Sequence, residues 1–433
     1  MFLEPLSSIQ LALETGDVNL ELLQQEFIEA ISLSTYKCWV DWIKRPTDVN
    51  HPRAKLSGLL LGVKDNIATI DFPTRMGSKK WNGTQGGFDA RVVHALRING
   101  VIIAGKTKCS EFAVHEPTDT VNPRYPERVT GTSSSGSAAA VAGQEIPLTL
   151  GTQSLGSIAK PASYCGVFGL KPSFGDIPRT GVLKTTELFD SVGFMGKRLE
   201  DLTRVYQTIR IAGPDHPIHS SRRTSKKILP RRILVLSGTG VDSPNDFLHS
   251  RFLEFISSMG NLFAVCEISS LDHDYFTLRE SILSIYHRDL SYFLSDHDLS
   301  HSFSETLETI MDYGRRVSQA TYNQSTKQIK DWMSLCQTSL SDEDIIVSLA
   351  TSQAAPQIGY PDLDDANLFI TSAGLPQVTL PLLRDEQGRI VGLSLSAKRF
   401  NDDNLLNWAQ TLAPWDCLSI PSLIPNSAST NAN

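Results

Sequence analysis

Several features are scarce in this chain, and each absence removes a class of function. Its 433 residues include six cysteines, Cys38, Cys109, Cys165, Cys266, Cys336 and Cys417, with no CxxC pair among them. Scattered single cysteines exclude a disulfide framework or a zinc ribbon and point to reduced thiols in a cytoplasmic protein. No apolar run reaches the ~18 residues a membrane span needs. The opening residues Met1 to Leu6 lack the basic region and apolar core of a secretory leader. Positive charge is not in excess either. Lys and Arg number 40 against 47 Asp and Glu, a formal net charge of −7, which speaks against nucleic acid or an anionic membrane as partner. Ten histidines occur without an HExxH or paired metal-ligand spacing. His287, His297 and His301 share a polar stretch with Asp289, Asp296 and Asp298, which reads as a solvated surface rather than a metal site. Neither metal nor organic cofactor is expected.

What is present suffices for a sizeable core, since 40% of the residues are hydrophobic and 20% charged. Residues 1–54 read as N-terminal helices, with Leu20, Leu22, Leu23, Phe27, Ile28 and Ile31 as their buried stripe. From 55 to 212, apolar strand-like runs (Leu59–Val63, Val101–Ala104) alternate with a helical stretch, Arg91–Asn99, which predicts an α/β sheet. Residues 213–229 are polar, basic and turn-rich, as in a linker. They open a variable, mostly helical segment, 213–343, that contains a strand at Arg232–Leu236. Its aromatics Tyr275, Tyr286 and Tyr292 read as core or surface packing rather than pocket lining. Residues 344–415 return to strand-like runs at Asp344–Leu349, Gln377–Leu383 and Ile390–Leu395, and 416–433 read as a disordered tail.

The stretch from Gly131 to Ser173 sets Ser133, Ser134, Ser135, Ser137, Ser154 and Ser157 in a glycine- and alanine-rich frame. Such runs are often flexible linkers. Here the apolar runs Ala138–Ala142 and Val167–Leu170 demand burial instead. Hydroxyls beside backbone that can approach other atoms closely suit acyl transfer, which needs a nucleophile and a cluster of N–H donors facing one oxyanion. No histidine lies in the stretch to act as base. A lysine can serve when burial holds it neutral, and Lys64 follows the apolar run Leu59–Val63. Taken singly, Lys64 reads as a strand-end charge and Ser133 or Ser157 as a turn or helix cap.

Several separated motifs occur in order: Gly62-Val63-Lys64-Asp65-Asn66; Gly105-Lys106-Thr107 with Ser110-Glu111-Phe112-Ala113; Gly131 to Ala142; Gly151 to Ser173; and Ala373-Gly374-Leu375-Pro376. With these the chain resembles the amidase signature family of serine hydrolases over roughly residues 55–210 and 344–412. The resemblance implies an α/β fold with a large mixed β-sheet core covered by helices on both faces. It also implies a Ser–cisSer–Lys triad, with Ser157 as nucleophile, Ser133, 24 positions earlier, as the bridging serine in a cis peptide, and Lys64 as base. The oxyanion hole would be the backbone N–H groups of Ser154, Leu155, Gly156 and Ser157. Ser134, Ser135 and Ser137 are left with turn and helix-start roles.

The chain departs from that pattern at four places. Leu155 stands where the family has a small residue, and either strains the backbone or narrows the acyl pocket; the second is expected. Thr132 replaces a common glycine beside the cis bond. Gln153 and Ala159 stand where many members carry an acid and an arginine. This resembles a malonamidase-like branch reading Gly-Thr-Gln, in which Lys160 takes the arginine position. Leu155, Thr132 and Lys160 are therefore expected to bind substrate, Lys160 by facing a carboxylate or polar group, or else to bond nearby carbonyls.

The resulting expectation is a small-molecule amidase working through an acyl-enzyme, cytoplasmic and admitting a homodimer. Its rivals are a biosynthetic acyltransferase using the same acyl-enzyme, the amidase-type subunit of a glutamine-dependent tRNA amidotransferase, which Gln153 and Ala159 speak against, and a binding protein of the same fold whose activity has drifted.

Overall fold

A computed structural model describes the chain apart from residues 49–50, 52, 80, 82–86, 212–226, 237–245, 272, 296–302, 361–364, 414–415 and 418–433. The expected linker except its last three residues, the tail from Pro421, and His297, His301, Asp296 and Asp298 lie outside the described residues.

Eleven strands make one mixed sheet: β1 (Trp39–Trp42), β2 (Leu60–Lys64), β3 (Ile102–Thr107), β4 (Leu148–Gln153), β5 (Phe168–Lys171), β6 (Ser191–Gly196), β7 (Arg232–Val235), β8 (Glu267–Ser270), β9 (Asp344–Leu349), β10 (Gln377–Arg384) and β11 (Ile390–Ala397). Their order is β1-β3-β2-β4-β6-β5-β10-β11-β9-β7-β8. β2 runs parallel to both neighbours, pairing Val63 with Lys106 and with Leu150. β4 to β9 are antiparallel throughout, and the edge strands β7 and β8 return to parallel pairing. β2, β3 and β4 are buried along their whole length, which is why they read as continuous apolar runs rather than alternating ones.

Among the described residues twelve α-helices pack around this sheet: α1 (Leu6–Thr15), α2 (Leu20–Ser32), α3 (Arg91–Ile98), α4 (Ser135–Ala142), α5 (Ala159–Cys165), α6 (Leu199–Ile209), α7 (Asp246–Phe263), α8 (Tyr275–Ser295), α9 (Glu305–Arg316), α10 (Gln319–Ser339), α11 (Asn367–Ser372) and α12 (Asp402–Leu412). No helix of the described residues is long and apolar enough to cross a membrane. In α2, Asn19 caps the N-terminus by accepting from Leu22 N at 2.8 Å. Leu23, Phe27 and Ile31 are buried, but Leu22 is exposed. At 100° per residue it falls off the stripe that those three define, so its place among the buried residues is corrected. Trp39–Trp42 is a strand on β3, not the end of a helix.

α4 is buried at every residue. Its Ser-Gly-Ser-Ala-Ala-Ala sequence lets it lie against β2, β3, β4 and β6. A Cβ on Gly136 would sit 2.4 Å from the Cys38 carbonyl oxygen and 2.5 Å from Lys108 N, so only glycine permits that approach. The run holds the serine-rich segment rigidly against the carboxyl ends of β2 and β4, a usual place for ligands in α/β sheets.

Candidate active site

Lys64 closes β2 and is wholly buried. Its Nζ donates to Ser133 Oγ at 2.8 Å and to Thr152 Oγ1 at 2.8 Å. Asn66 Nδ2 also donates to Thr152 Oγ1, at 2.9 Å, while Asn66 Oδ1 is buried without a partner. Loss of hydration lowers the Lys64 ammonium to about 8, against the smaller opposing pull of Cys109 and Asp190. Asp190 is itself buried, which raises its carboxyl above the ordinary range. It accepts from Thr185 N at 2.6 Å and Thr185 Oγ1 at 2.8 Å, and Thr185 Oγ1 in turn meets Ser154 Oγ. One carboxylate thus braces the segment ahead of Ser157 and weakly opposes Lys64 deprotonation.

The Thr132–Ser133 peptide is cis. Ser134 Oγ donates to the Thr152 carbonyl at 3.3 Å, Ser137 Oγ to that of Leu150 at 3.0 Å, and Ser135 Oγ meets Thr118 Oγ1 at 2.9 Å. These three hydroxyls are committed to holding α4.

Ser157 lies half-buried between β4 and α5. It lines a cavity of about 580 Å³ together with Thr132, Ser154, Leu155, Gly156 and Lys160. The structure therefore joins Lys64 to Ser133 directly and sets Ser157 on the cavity wall that Thr132 shares. Among the described residues, no hydrogen bond uses the N–H of Leu155, Gly156 or Ser157. Leu155 is not among the non-glycine residues with positive φ, so it does not occupy the left-handed region that favours glycine. Its side chain lines the cavity and packs against two apolar clusters.

Gln153 organises the entry to α5. Its Oε1 accepts from Ile158 N at 2.8 Å and Ala159 N at 2.9 Å, two of the donors that a helix start leaves unpaired. Its Nε2 donates to Thr371 Oγ1 at 2.9 Å and Gln377 Oε1 at 2.8 Å. Gln377 Nε2 continues to Asn367 Oδ1 and Ser394 Oγ, both at 2.6 Å. A neutral amide network fills the space beneath the Ser157 segment. An acid at 153 would need a buried cation there, and Ala159 supplies none.

Lys160 pairs with Asp365, Nζ to Oδ2 at 3.0 Å, and both line the cavity. A Cβ on Gly156 would lie 3.0 Å from each Asp365 carboxylate oxygen, so the glycine lets that carboxylate seat against the segment before Ser157. The sequence reading missed Asp365, Thr152 and Asn66. Of these, Asn66, within the Gly62–Asn66 motif, and Thr152, within Gly151–Ser173, carried a local signal, and Asp365 carried none. It also missed the far wall of the cavity, formed by Arg279, Leu283, Tyr286 and His287 of α8 and by Glu305, Ile310 and Tyr313 of α9. Tyr286 is a lining residue there, Tyr275 is core and Tyr292 is exposed. His287 is no solvated surface group. Burial lowers its imidazole to about 4, helped by His115 and Arg279, and it stacks on Tyr313. A histidine neutral at physiological pH is accordingly available at the wall but does not bond the serines.

The structure thus brings a buried lysine bonded to a serine to the carboxyl ends of parallel strands, with a second serine on the wall of the adjoining cavity. The family profile described as Amidase matches residues 41–406, and the chain belongs to the amidase family. It is 29% identical over 410 residues to a glutamyl-tRNA(Gln) amidotransferase subunit of Macrococcus caseolyticus, covering 84% of this chain and 85% of that one. It is 39% identical over 231 residues to the identically named subunit of Symbiobacterium thermophilum, a match spanning 50% of this chain and 47% of the other. A solved amidase superposes with a TM-score of 0.81 at 21% identity, covering 94% of this chain and all of that one; at that identity the likeness is one of fold.

Proposed function

We propose that this protein is an amidase that cleaves a small carboxamide through an acyl-enzyme on Ser157. The observation that carries the reading is the 2.8 Å contact between Ser133 Oγ and the wholly buried Lys64 Nζ. With Lys64 lowered to about 8, about a tenth of it is neutral at pH 7. Neutral Lys64 takes the Ser133 hydroxyl proton as Ser133 takes that of Ser157, and Ser157 Oγ attacks the amide carbon. The backbone N–H groups of Ser154, Leu155, Gly156 and Ser157 hold the oxyanion. The proton returns along Ser133 to the leaving amine and the C–N bond breaks. Water then attacks the ester, giving its proton to the same relay and releasing the acid. Thr152 positions the base, since accepting one Lys64 N–H fixes the rotation of the amine toward Ser133.

The test is labelling with a fluorophosphonate, which phosphonylates an activated serine. The native protein is expected to label at Ser157 and Ser157→Ala not at all; labelling that survives the substitution would sink the assignment. A second reading follows from the two amidotransferase relatives. In it the same acyl-enzyme releases ammonia to a partner-bound acceptor. Partner proteins co-purifying with the chain, and amide cleavage that rises with them, would select that reading over the free-standing amidase.

A further inference from the structure

The Lys160–Asp365 pair bears on which acyl groups the cavity admits, an inference that rests on this cavity being the acyl site. Lys160 stands on the first turn of α5, within one helical turn of Ser157. The sequence leaves it two roles, to face a carboxylate or polar group of the substrate or to bond nearby carbonyls. In the structure that place is already taken by an anion from the chain itself. Asp365 Oδ2 lies 3.0 Å from Lys160 Nζ, with the two side chains only 7% and 13% exposed. The other oxygen, Oδ1, accepts from Asn367 N at 3.0 Å and Asn367 Nδ2 at 2.6 Å. Asn367 Nδ2 reaches on to the Ala350 carbonyl oxygen at 2.7 Å. The carboxylate is therefore fixed by α11 and cannot swing aside for a ligand without stranding those donors.

We infer that Asp365 is a specificity-determining residue: by neutralising Lys160 it makes the acyl end of the cavity select uncharged acyl groups and reject carboxylates. A substrate carboxylate at Lys160 would have to displace a preorganised, chain-borne one, or lie beside it at close range and be repelled. The rest of the lining agrees with an uncharged acyl group. Leu155, Leu283, Ile310 and Leu368 are apolar. The remaining charged or titratable groups at the cavity, Arg279, His115, His287 and Glu305, include an arginine already bonded to Glu280 at 3.0 Å and an imidazole that burial keeps neutral.

The experiment separates this inference from the hydrolytic reading by measuring binding without turnover. In a Ser157→Ala background, calorimetry compares glutaramide, a neutral diamide, with glutaramate, its half-amide anion. The parent is expected to prefer glutaramide. Asp365→Asn keeps an oxygen for the Asn367 donors while removing that carboxylate charge from beside Lys160, and is expected to tighten glutaramate at least about tenfold relative to glutaramide. Adding Lys160→Met to it is expected to abolish that gain. Lys160→Met alone removes the cation paired with Asp365 Oδ2 and is expected to favour the cation 5-aminopentanamide. An unchanged preference in Asp365→Asn, a gain that persists without Lys160, or no binding of any of these ligands to any variant would overturn the inference. Should Asp365→Asn fail to fold, the Lys160→Met arm decides alone, and no gain for the cation overturns it. Fluorophosphonate labelling of the native enzyme reports the hydrolytic reading independently.

Discussion

Replacing Lys64 by methionine separates the chemistry proposed for this buried lysine from what its burial does to stability. The side chain is nearly isosteric, so packing between β2 and α4 is kept. In the native fold the ammonium sits at about 8, against an ordinary lysine value of 10.5. That difference is a penalty on the charged form of about 3 kcal/mol. The sign follows from linkage. A folded-state value below the unfolded one means the unfolded chain binds more protons between the two, so the penalty is full below pH 8, shrinks from 8 to 10.5 and is gone above. Methionine removes the penalty but forfeits two hydrogen bonds, to Ser133 and Thr152, at about 1 kcal/mol each for the neutral amine. Lys64→Met is therefore expected to be about 1 kcal/mol more stable than the native protein at pH 7, and about 2 kcal/mol less stable than it above pH 10.5, where the penalty has gone. Over the same series, fluorophosphonate labelling of Ser157 should fall by a factor of about a hundred or more through loss of the general base. The native labelling rate should rise with pH and level off above about 8. Denaturant melts and labelling rates on the same samples test both halves. A variant less stable by 2 kcal/mol or more at pH 7, or one labelled within about tenfold of the native rate, would refute the account of Lys64 as a destabilised functional base.

Two further outcomes follow from other residues. Asp201 is buried at the start of α6, accepts from Leu6 N at 3.1 Å, and has its carboxyl raised to about 6 by burial. Because the folded-state value lies above the unfolded one, the cost is absent below about pH 4 and full above about 6. Asp201→Asn, which keeps the acceptor, should stabilise the fold by about 3 kcal/mol at pH 7 and by nothing at pH 4, as read by thermal or chemical melts. At Gly156, alanine would place its Cβ 3.0 Å from both Asp365 oxygens. Displacement of the adjoining Ser157 should cut the labelling rate about tenfold to a hundredfold with little change in melting temperature; an unaltered rate would show that Gly156 is not needed for close approach.

The parts of the site legible in the sequence were those whose chemistry is local or fixed in spacing. Leu59–Val63 is an uninterrupted apolar run, so a strand buried on both faces followed, and with it the burial of Lys64. The small residues of α4 signalled close approach. Trp39–Trp42 was lost because four residues give too short a pattern to tell a strand from the end of a helical stretch, and its partners in β3, Gly105 to Thr107, lie 63 to 68 residues further on. Asp365 was invisible for a related reason. Nothing near it announces a charge partner, and its pairing with Lys160 exists only once α11 has been carried back to α5 through the sheet. Gln153 shows the intermediate case. The absence of an acid and an arginine could be read, but not that its amide would bridge the α5 entry to β10 and α11.

That bridge has a consequence for how the site responds to its surroundings. Gln153, Gln377, Asn367, Thr371 and Ser394 hold the turn into α5 without a single ionisable group among them. Acidity can thus alter the charge on Lys64 while leaving untouched the amide contacts by which Gln153 holds the Ile158 and Ala159 N–H groups. The base behaves as a switch on a stationary mount, and structures determined at pH 5 and pH 9 are expected to superpose there even as one form is inert and the other competent.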